Sequence, residues 1–362
     1  MPTAEEKVSR PPLYMDGTKL NRHLDEVVRW QRNEWFAPIH MEISPSKVCN
    51  QHCSFCYIEW SHGKINMPRS MLLDLIRDGA RIGIKSALLA GEGEPTLNPA
   101  YVEAIEVAGE VGLDMALNTN AVTMTEEEMQ RFLPHLSWMR CSVQAAHETL
   151  YAKIHESPER HFGMAIDNIA TACRIKREQG LELAVGVQQV LLKENGSEIP
   201  KLAELARSIG ADYYVIKPCH PHDYNSYEKQ ENLVETFRGE LEAAEALSTD
   251  GFKAVVRWNF LNEAEVPRNY SKCLGIPFII QITAEGRVVT CYPWADKKEH
   301  EYGTLAGNTI EEILKSPQFG QTCRWVEDEV DVSACMPTCR QHNANKYLWW
   351  LKEEQPDHLN FI

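Results

Sequence analysis

The chain has 362 residues, with 37 Lys+Arg against 52 Asp+Glu, a formal charge of −15, 43% hydrophobic and 25% charged residues. That makeup excludes a disordered or fibrous protein and fits one large α/β domain plus a smaller unit. The acidic balance argues against a broad grip on nucleic acid, which needs clustered positive charge. No apolar run approaches the ~18 residues that cross a bilayer, the longest candidate lying around Ile276 to Ile282. The first residues, MPTAEEKVSR, lack the apolar core of a signal peptide, so a cytoplasmic protein without membrane or nucleic-acid partners is expected.

Residues 1–37 read as an N-terminal extension, polar at first and helical from about Lys19 to Trp35. A repeating pattern follows. Strands are predicted at Ile39–Ile43, Lys85–Ala90, Leu113–Leu117, Trp138–Val143, Leu183–Val190, Tyr213–Ile216 and Lys253–Trp258. Helices are predicted between them at Ser70–Ile82, Pro99–Val111, Thr125–Leu133, Met164–Glu178, Ile199–Ile209 and Asn232–Leu247. Thr125 with Glu128 three residues on is a capping box, and Gly180 stands past the end of a helix. About six strand–helix alternations predict an α/β fold with a parallel sheet, too short for an eight-fold barrel. A partial (βα)6 TIM-like barrel over residues 38–260 is the expectation. After Pro267 the pattern changes. Phe278–Thr283 and Arg287–Cys291 read as a hairpin around Glu285-Gly286, followed by a short helix near Thr309–Lys315. Residues 261–345 are expected to form a small α+β domain, with 346–362 a Trp- and Tyr-rich tail.

Eleven cysteines in a chain with no export signal point to metal or redox chemistry rather than disulfides. Cys49, Cys53 and Cys56 satisfy C-x3-C-x2-C, a pattern that chance would give roughly 0.01 times in this composition. Cys273, Cys291, Cys335 and Cys339 form a second group. Cys141, Cys173, Cys219 and Cys323 are scattered, as buried small apolar residues are. Three thiolates on a loop after the first strand can bind three corners of a cubane and leave one iron open, as a catalytic metal site requires. Zinc held by Cys49, Cys53, Cys56 and His52 is the alternative. Four further thiolates can close a second 4Fe–4S cluster, with structural zinc again the alternative and Cys323 a substitute for the last ligand.

The stretch Cys49-Asn50-Gln51-His52-Cys53-Ser54-Phe55-Cys56 resembles the cluster loop of the radical S-adenosylmethionine (SAM) superfamily. Ala90-Gly91-Glu92-Gly93-Glu94-Pro95 resembles that family's GGEP motif, with Glu92 in place of the first glycine of the pair. The resemblance covers roughly residues 38–260. It implies a 4Fe–4S cluster on Cys49, Cys53 and Cys56 whose open iron chelates SAM, and a 5′-deoxyadenosyl radical that takes a hydrogen atom from substrate. It implies cofactor contacts from Phe55, Gly91, Glu92, Gly93 and Glu94, from the strand ends Asn118 and Asn120 and Ser142 and Gln144, and from Gln188 and Val190 near the adenine. Cys273, Cys291, Cys335 and Cys339 resemble the ligands of a twitch domain, the short form of the SPASM domain, and imply one auxiliary 4Fe–4S cluster.

Radical SAM enzymes with a twitch domain resemble oxidases of amino-cyclitols and sugar-modifying enzymes. The expected activity is therefore oxidation, epimerisation or dehydration of a carbohydrate, cyclitol or nucleotide sugar. An external electron donor such as flavodoxin or ferredoxin is implied. Candidate pocket residues follow the later strands: Lys217, His220 and Arg257 for binding or proton transfer, Tyr292 and Trp294 as lining, and Cys219 and Cys141 as hydrogen donors. Modification of a ribosomally made peptide is the second expectation, and an iron–sulfur electron carrier the third.

Overall fold

The computed structural model describes residues 15, 17–219, 232–263, 266–354 and 357–361. In chain order its elements are α1 Leu24–Gln31, β1 His40–Ile43, α2 Arg69–Ile82, β2 Ser86–Leu89, α3 Tyr101–Glu110 and β3 Asp114–Thr119. Next come α4 Glu126–Phe132, β4 Leu136–Ser142, α5 Glu148–His155, α6 Arg160–Gln179, β5 Ala184–Leu191, α7 Ile199–Ser208 and β6 Tyr213–Pro218. After these are α8 Leu233–Thr236, α9 Arg238–Glu245, β7 Lys253–Val256, α10 Trp258–Glu263, β8 Ile279–Ile282 and β9 Arg287–Val289. The chain closes with β10 Glu301–Thr304, α11 Ile310–Lys315, α12 Pro317–Glu329 and α13 His342–Lys352.

The ten strands form one sheet in the order β10-β9-β8-β1-β2-β3-β4-β5-β6-β7. Strands β1 to β7 are consecutive and parallel, as strand–helix alternation dictates, and the sheet does not close on itself. Local signals set the helix ends. Thr125 and Glu128 make the expected reciprocal capping bonds, and Gly83 and Gly180 stop α2 and α6 in the left-handed conformation.

Strand alternation sorts the side chains onto two faces. On β4, Met139 and Cys141 enter the main core with Cys173 of α6, under the helical layer. Trp138, Arg140 and Ser142 therefore take the opposite, inner face. Tyr213 of β6 is on that face too, since its hydroxyl accepts a hydrogen bond from Arg140 Nε at 3.2 Å.

The C-terminal hairpin extends the barrel sheet rather than forming a separate one. β8 pairs parallel with β1, from His40 against Ile279 to Ile43 against Ile282, and β9 and β10 follow antiparallel. Strand β10 and helices α5, α10, α12 and α13 were not anticipated, and Trp258, expected to end the last barrel strand, opens α10. The helix α13 runs across residue 345, and its Leu348 shares a small core with Val27 of α1, Leu274 and Phe278. Helices α1 and α13 thus share one core. No helix of the described residues is long and apolar enough to cross a membrane.

Candidate active site

The loop after β1 carries Cys49, Cys53 and Cys56, and it is held at both ends. Ser44 donates its backbone N–H to Ile282 of β8 at 2.8 Å. Further along, the N–H groups of His52 and Ser54 bond the carbonyls of His155 (3.1 Å) and Ile154 (3.0 Å) at the end of α5. Those two carbonyls lack helical partners, and the loop supplies them. Phe55 packs, with Cys219, against Ile154, Val190 and Leu192. The Cys53 sulfur lies 3.2 Å from His155 Nδ1, which also lies 2.9 Å from Gln51 Oε1. Gln51 Nε2 donates to Tyr151 Oη at 2.9 Å.

Burial pushes the Cys49 thiol up to about 12, with the Glu94 charge adding, and the Cys56 thiol up to about 11; Cys53 is raised by burial and then by the charges of Cys56 and Cys49. Thiols so placed ionise only when a cationic centre offsets the cost.

The segment after β2 lies against this loop. A Cβ at Gly93 would stand 2.7 Å from the Lys47 carbonyl carbon and 2.8 Å from the Ser46 oxygen, so only glycine fits. Gly91 takes φ +109 beneath Tyr292 and Ser44. Glu94 is fully engaged: one carboxylate oxygen accepts from Thr119 Oγ1 (2.6 Å) and Thr96 Oγ1 (2.8 Å), the other from the Asn120 N–H (2.7 Å). Glu94 therefore sets the end of β3. Asn120 in turn donates to Asn50 Oδ1 of the cysteine loop at 2.6 Å. Glu92 turns away from the thiols. Its carboxylate accepts from Ser61 Oγ (2.6 Å) and the Ala284 N–H (2.7 Å), with Lys47 Nζ at 3.6 Å. The residue that departs from the glycine pair thus ties three segments together.

Of the other expected contacts, Asn118 Oδ1 is buried with no hydrogen-bond partner. Ser142 and Gln188 lie directly opposite one another on β4 and β5. Gln144 accepts the Val190 N–H at 2.6 Å, so its side chain holds the backbone in place. Val190 lies opposite Lys217 on β6. Lys217 is half-buried and pulled down to about 8 by burial, then by the Arg140 and Arg257 charges; the Cys219 and Cys56 thiols oppose that shift. Arg257 donates to the Met15 carbonyl at 2.9 Å and sits 3.9 Å from the centre of the Phe260 ring. Cys141 is a correction to the expectation. It points outward into the core beside Cys173, on the face opposite Ser142, and cannot reach a substrate in the barrel. His220 lies outside the described residues.

The second cysteine group also converges. After burial, the largest influences raising Cys291 are Cys339, Cys273 and Cys335, and those raising Cys273 include Cys339 and Cys335. Cys335 and Cys339 share the turn between α12 and α13. Cys323 stands apart, 3.8 Å from Tyr302 Oη, with none of the four among its influences. Asn345 of α13 braces the group, donating to Cys273 Sγ at 3.5 Å while its oxygen accepts the Leu274 and Gly275 N–H groups. Tyr57, next to Cys56, lies within the electrostatic reach of both Cys56 and Cys291. Side chains also tie this segment to β1: Arg340 pairs with Glu42, Gln281 donates to Glu42, and the Tyr292 N–H donates to Gln281.

Tetrahedral zinc with Zn–S of about 2.3 Å would hold its sulfurs about 3.8 Å apart. Among the described residues, the one set of three potential ligand atoms within 4.8 Å of one another is His52, Glu59 and His62, with no cysteine in it. No three of the described cysteine sulfurs lie that close together. The thiol donor set and the orphaned Asn118 oxygen fit an iron–sulfur cluster and a polar ligand beside it.

Gln51, His155, Asn50, Thr119 and Arg140 were missed by the sequence reading. The signal for α5 was present in Leu150, Tyr151 and Ile154, which share one helical face. Its eight residues are too few to stand out.

A parallel, open barrel with a three-cysteine loop after its first strand defines the class: residues 43–206 match the model of the radical SAM superfamily. That segment is a radical SAM domain, and such a domain implies a 4Fe–4S cluster and SAM. Over 196 residues it is 22% identical to the tungsten-containing aldehyde ferredoxin oxidoreductase cofactor-modifying protein of Pyrococcus furiosus, covering 52% of this chain and 53% of that one. Over 183 residues it is 26% identical to a probable GTP 3′,8-cyclase of Saccharolobus islandicus, covering 50% and 57%. The chain spans about half the length of the curated relatives it matches. Among solved structures, Streptococcus suis SuiB bound to its precursor peptide SuiA aligns with a TM-score of 0.65 at 14% identity, covering 99% of this chain and 84% of that one. SuiB bound to SAM gives 0.65 and 14% over 95% and 82%. That likeness is one of fold.

Proposed function

We propose that the cluster on Cys49, Cys53 and Cys56 opens a SAM-dependent oxidation of a hydroxylated small molecule, a carbohydrate, cyclitol or nucleotide sugar. Reductive cleavage of SAM to a 5′-deoxyadenosyl radical is the chemistry that the bound cluster supplies. Gly91 and Gly93 give a bound SAM close approach to the backbone, and Glu94 fixes the β3 end where Asn118 and Asn120 meet it. Phe55, Ser142, Gln188 and Val190 line the inner face above the loop.

Oxidation is favoured over epimerisation and dehydration by one observation: four half-buried thiols converge, and Tyr57, next to Cys56, is influenced by both Cys56 and Cys291. When a carbinol carbon loses a hydrogen atom, it becomes a ketone by giving up one proton and one electron. Cys273, Cys291, Cys335 and Cys339 would hold the auxiliary 4Fe–4S cluster where an electron acceptor is needed. An external flavodoxin or ferredoxin would supply the first electron.

The test is product analysis on anaerobically reconstituted protein. About eight irons per chain, 5′-deoxyadenosine formation and a ketone product are expected. Deuterium from solvent at an inverted carbon would show epimerisation instead. Modification of a ribosomally made peptide is the second reading. It draws on the likeness to SuiB over nearly the whole chain, and SuiB is bound to a peptide. Turnover of a peptide and of no sugar would favour it.

A further inference from the structure

The chain has a surplus of carboxylates and sets several of them against cations elsewhere in the fold. Lys176 pairs with Asp212, Lys47 with Glu285 and Glu92, and Arg340 with Glu42. Two cations on the inner face of the barrel are treated differently. Lys217, at the end of β6, has no hydrogen bond or carboxylate partner among the described residues. Arg140, on β4, has one hydrogen bond, to the neutral Tyr213 hydroxyl. Its guanidinium is otherwise stacked, 4.7 Å from the Trp138 ring centre and 5.8 Å from that of Tyr213. A Cβ on Gly186 would collide with the Tyr213 ring, so glycine there lets Tyr213 lie flat and present its hydroxyl to Arg140. The arginine is thus positioned without being neutralised.

These cations repel each other. Arg140 and Arg257 are the like charges that weigh most on the Lys217 ammonium. Withdrawing an ammonium from water beside two guanidinium groups costs free energy that folding does not recover. An anion arriving from outside recovers it, as charge-assisted hydrogen bonds to carboxylate or phosphate do. The position suits a substrate. Lys217 stands opposite Val190, and Val190 packs in the same small cluster as Phe55 of the cysteine loop. A molecule anchored there holds its remaining atoms beside the thiols that carry the radical chemistry.

We infer that the substrate carries an anionic group, a phosphate or a carboxylate, that binds between Lys217 and Arg140 on the inner face of the barrel. This rests on the radical SAM reading above and narrows its substrate class: a neutral sugar or cyclitol would leave both cations bare.

The test is calorimetric titration of cluster-loaded protein saturated with SAM, with three probes that share one ring: glucose 1-phosphate, glucuronate and glucose. At least one anionic probe should bind tenfold or more tighter than glucose. Whichever of the two binds identifies phosphate or carboxylate as the group. Lys217→Met and Arg140→Met should each weaken that binding tenfold or more, and Lys217→Arg should largely retain it, which separates lost charge from lost fold. Equal binding of all three probes, binding of neither anion, or binding unaffected by the substitutions would overturn the inference. So would competition between the anion and SAM, since the cations would then serve the SAM carboxylate. A protein that forms no 5′-deoxyadenosine fails the earlier reading independently, because that cleavage needs no substrate anion.

Discussion

Cys141 and Ser142 were both expected at the site, and adjacent residues of one strand cannot both face it. Alternation puts one on each side of the sheet, and the core beside Cys173 has claimed the cysteine. Gly93 shows the opposite case, where a local motif specifies the geometry. Three backbone atoms of the loop before Cys49 crowd the place its Cβ would take, and backbone cannot rotate aside. Gly93→Ala should therefore push the loop from the β2 end, at about 1–3 kcal/mol in overall stability. A larger loss is expected in SAM affinity, at least tenfold by equilibrium dialysis. Wild-type affinity in that variant would mean the segment does not touch SAM. The cysteine spacing and the glycines were legible because each motif is complete within eight residues. Gln51 and His155 were not, because their meeting depends on a contact across about a hundred residues that no local pattern records.

At the scale of elements, the C-terminal hairpin is joined to the barrel. Parallel pairing of β8 with β1 accounts for part of this, and Glu92 adds a buried tie at the hairpin. Glu92→Ala would strand the Ala284 N–H and the Ser61 hydroxyl in buried surroundings and leave Lys47 with Glu285 alone. A loss of about 2–4 kcal/mol is expected. Hydrogen exchange should quicken at residues 283–290 and 61–67 together; quickening at one segment alone would show that Glu92 does not couple them. The hairpin itself was readable from Glu285-Gly286, but its partner was not. A strand's pattern states which face is apolar, and leaves open which neighbour it joins. The seven parallel strands were legible because each carries its own apolar run between helices, whereas β10, four residues long with Gly303 inside it, carries almost no signal.

For the whole molecule, half-buried His40 and buried His300 contribute to an acid limit. Burial holds His40 down to about 3 and His300 down to about 4. Both are neutral in the folded protein across the range where the unfolded chain, with histidine near 6.5, takes up protons. Their contribution is therefore fully present above about pH 6.5 and is lost as pH falls toward 4, at up to about 1.4 kcal/mol per pH unit for His40. Urea unfolding should show a lower midpoint at pH 5 than at pH 7. His40→Asn should flatten that difference, and an unchanged pH dependence would show that His40 is solvated. His40 also lies where β1 joins both halves of the sheet, bonded to Ser86 Oγ at 2.8 Å, so its protonation would loosen the barrel and the hairpin together.

The three cysteines after β1 converge from a loop that is fastened to α5 and to β8 and that leaves a polar, glycine-lined face toward the barrel. Electron paramagnetic resonance of the reduced, anaerobically prepared protein, with and without SAM, reads that arrangement most directly. A 4Fe–4S signal whose g values shift on adding SAM, and which disappears when Cys49, Cys53 and Cys56 are replaced by alanine, is the expected result. A signal indifferent to SAM would mean that no iron there is open to a ligand.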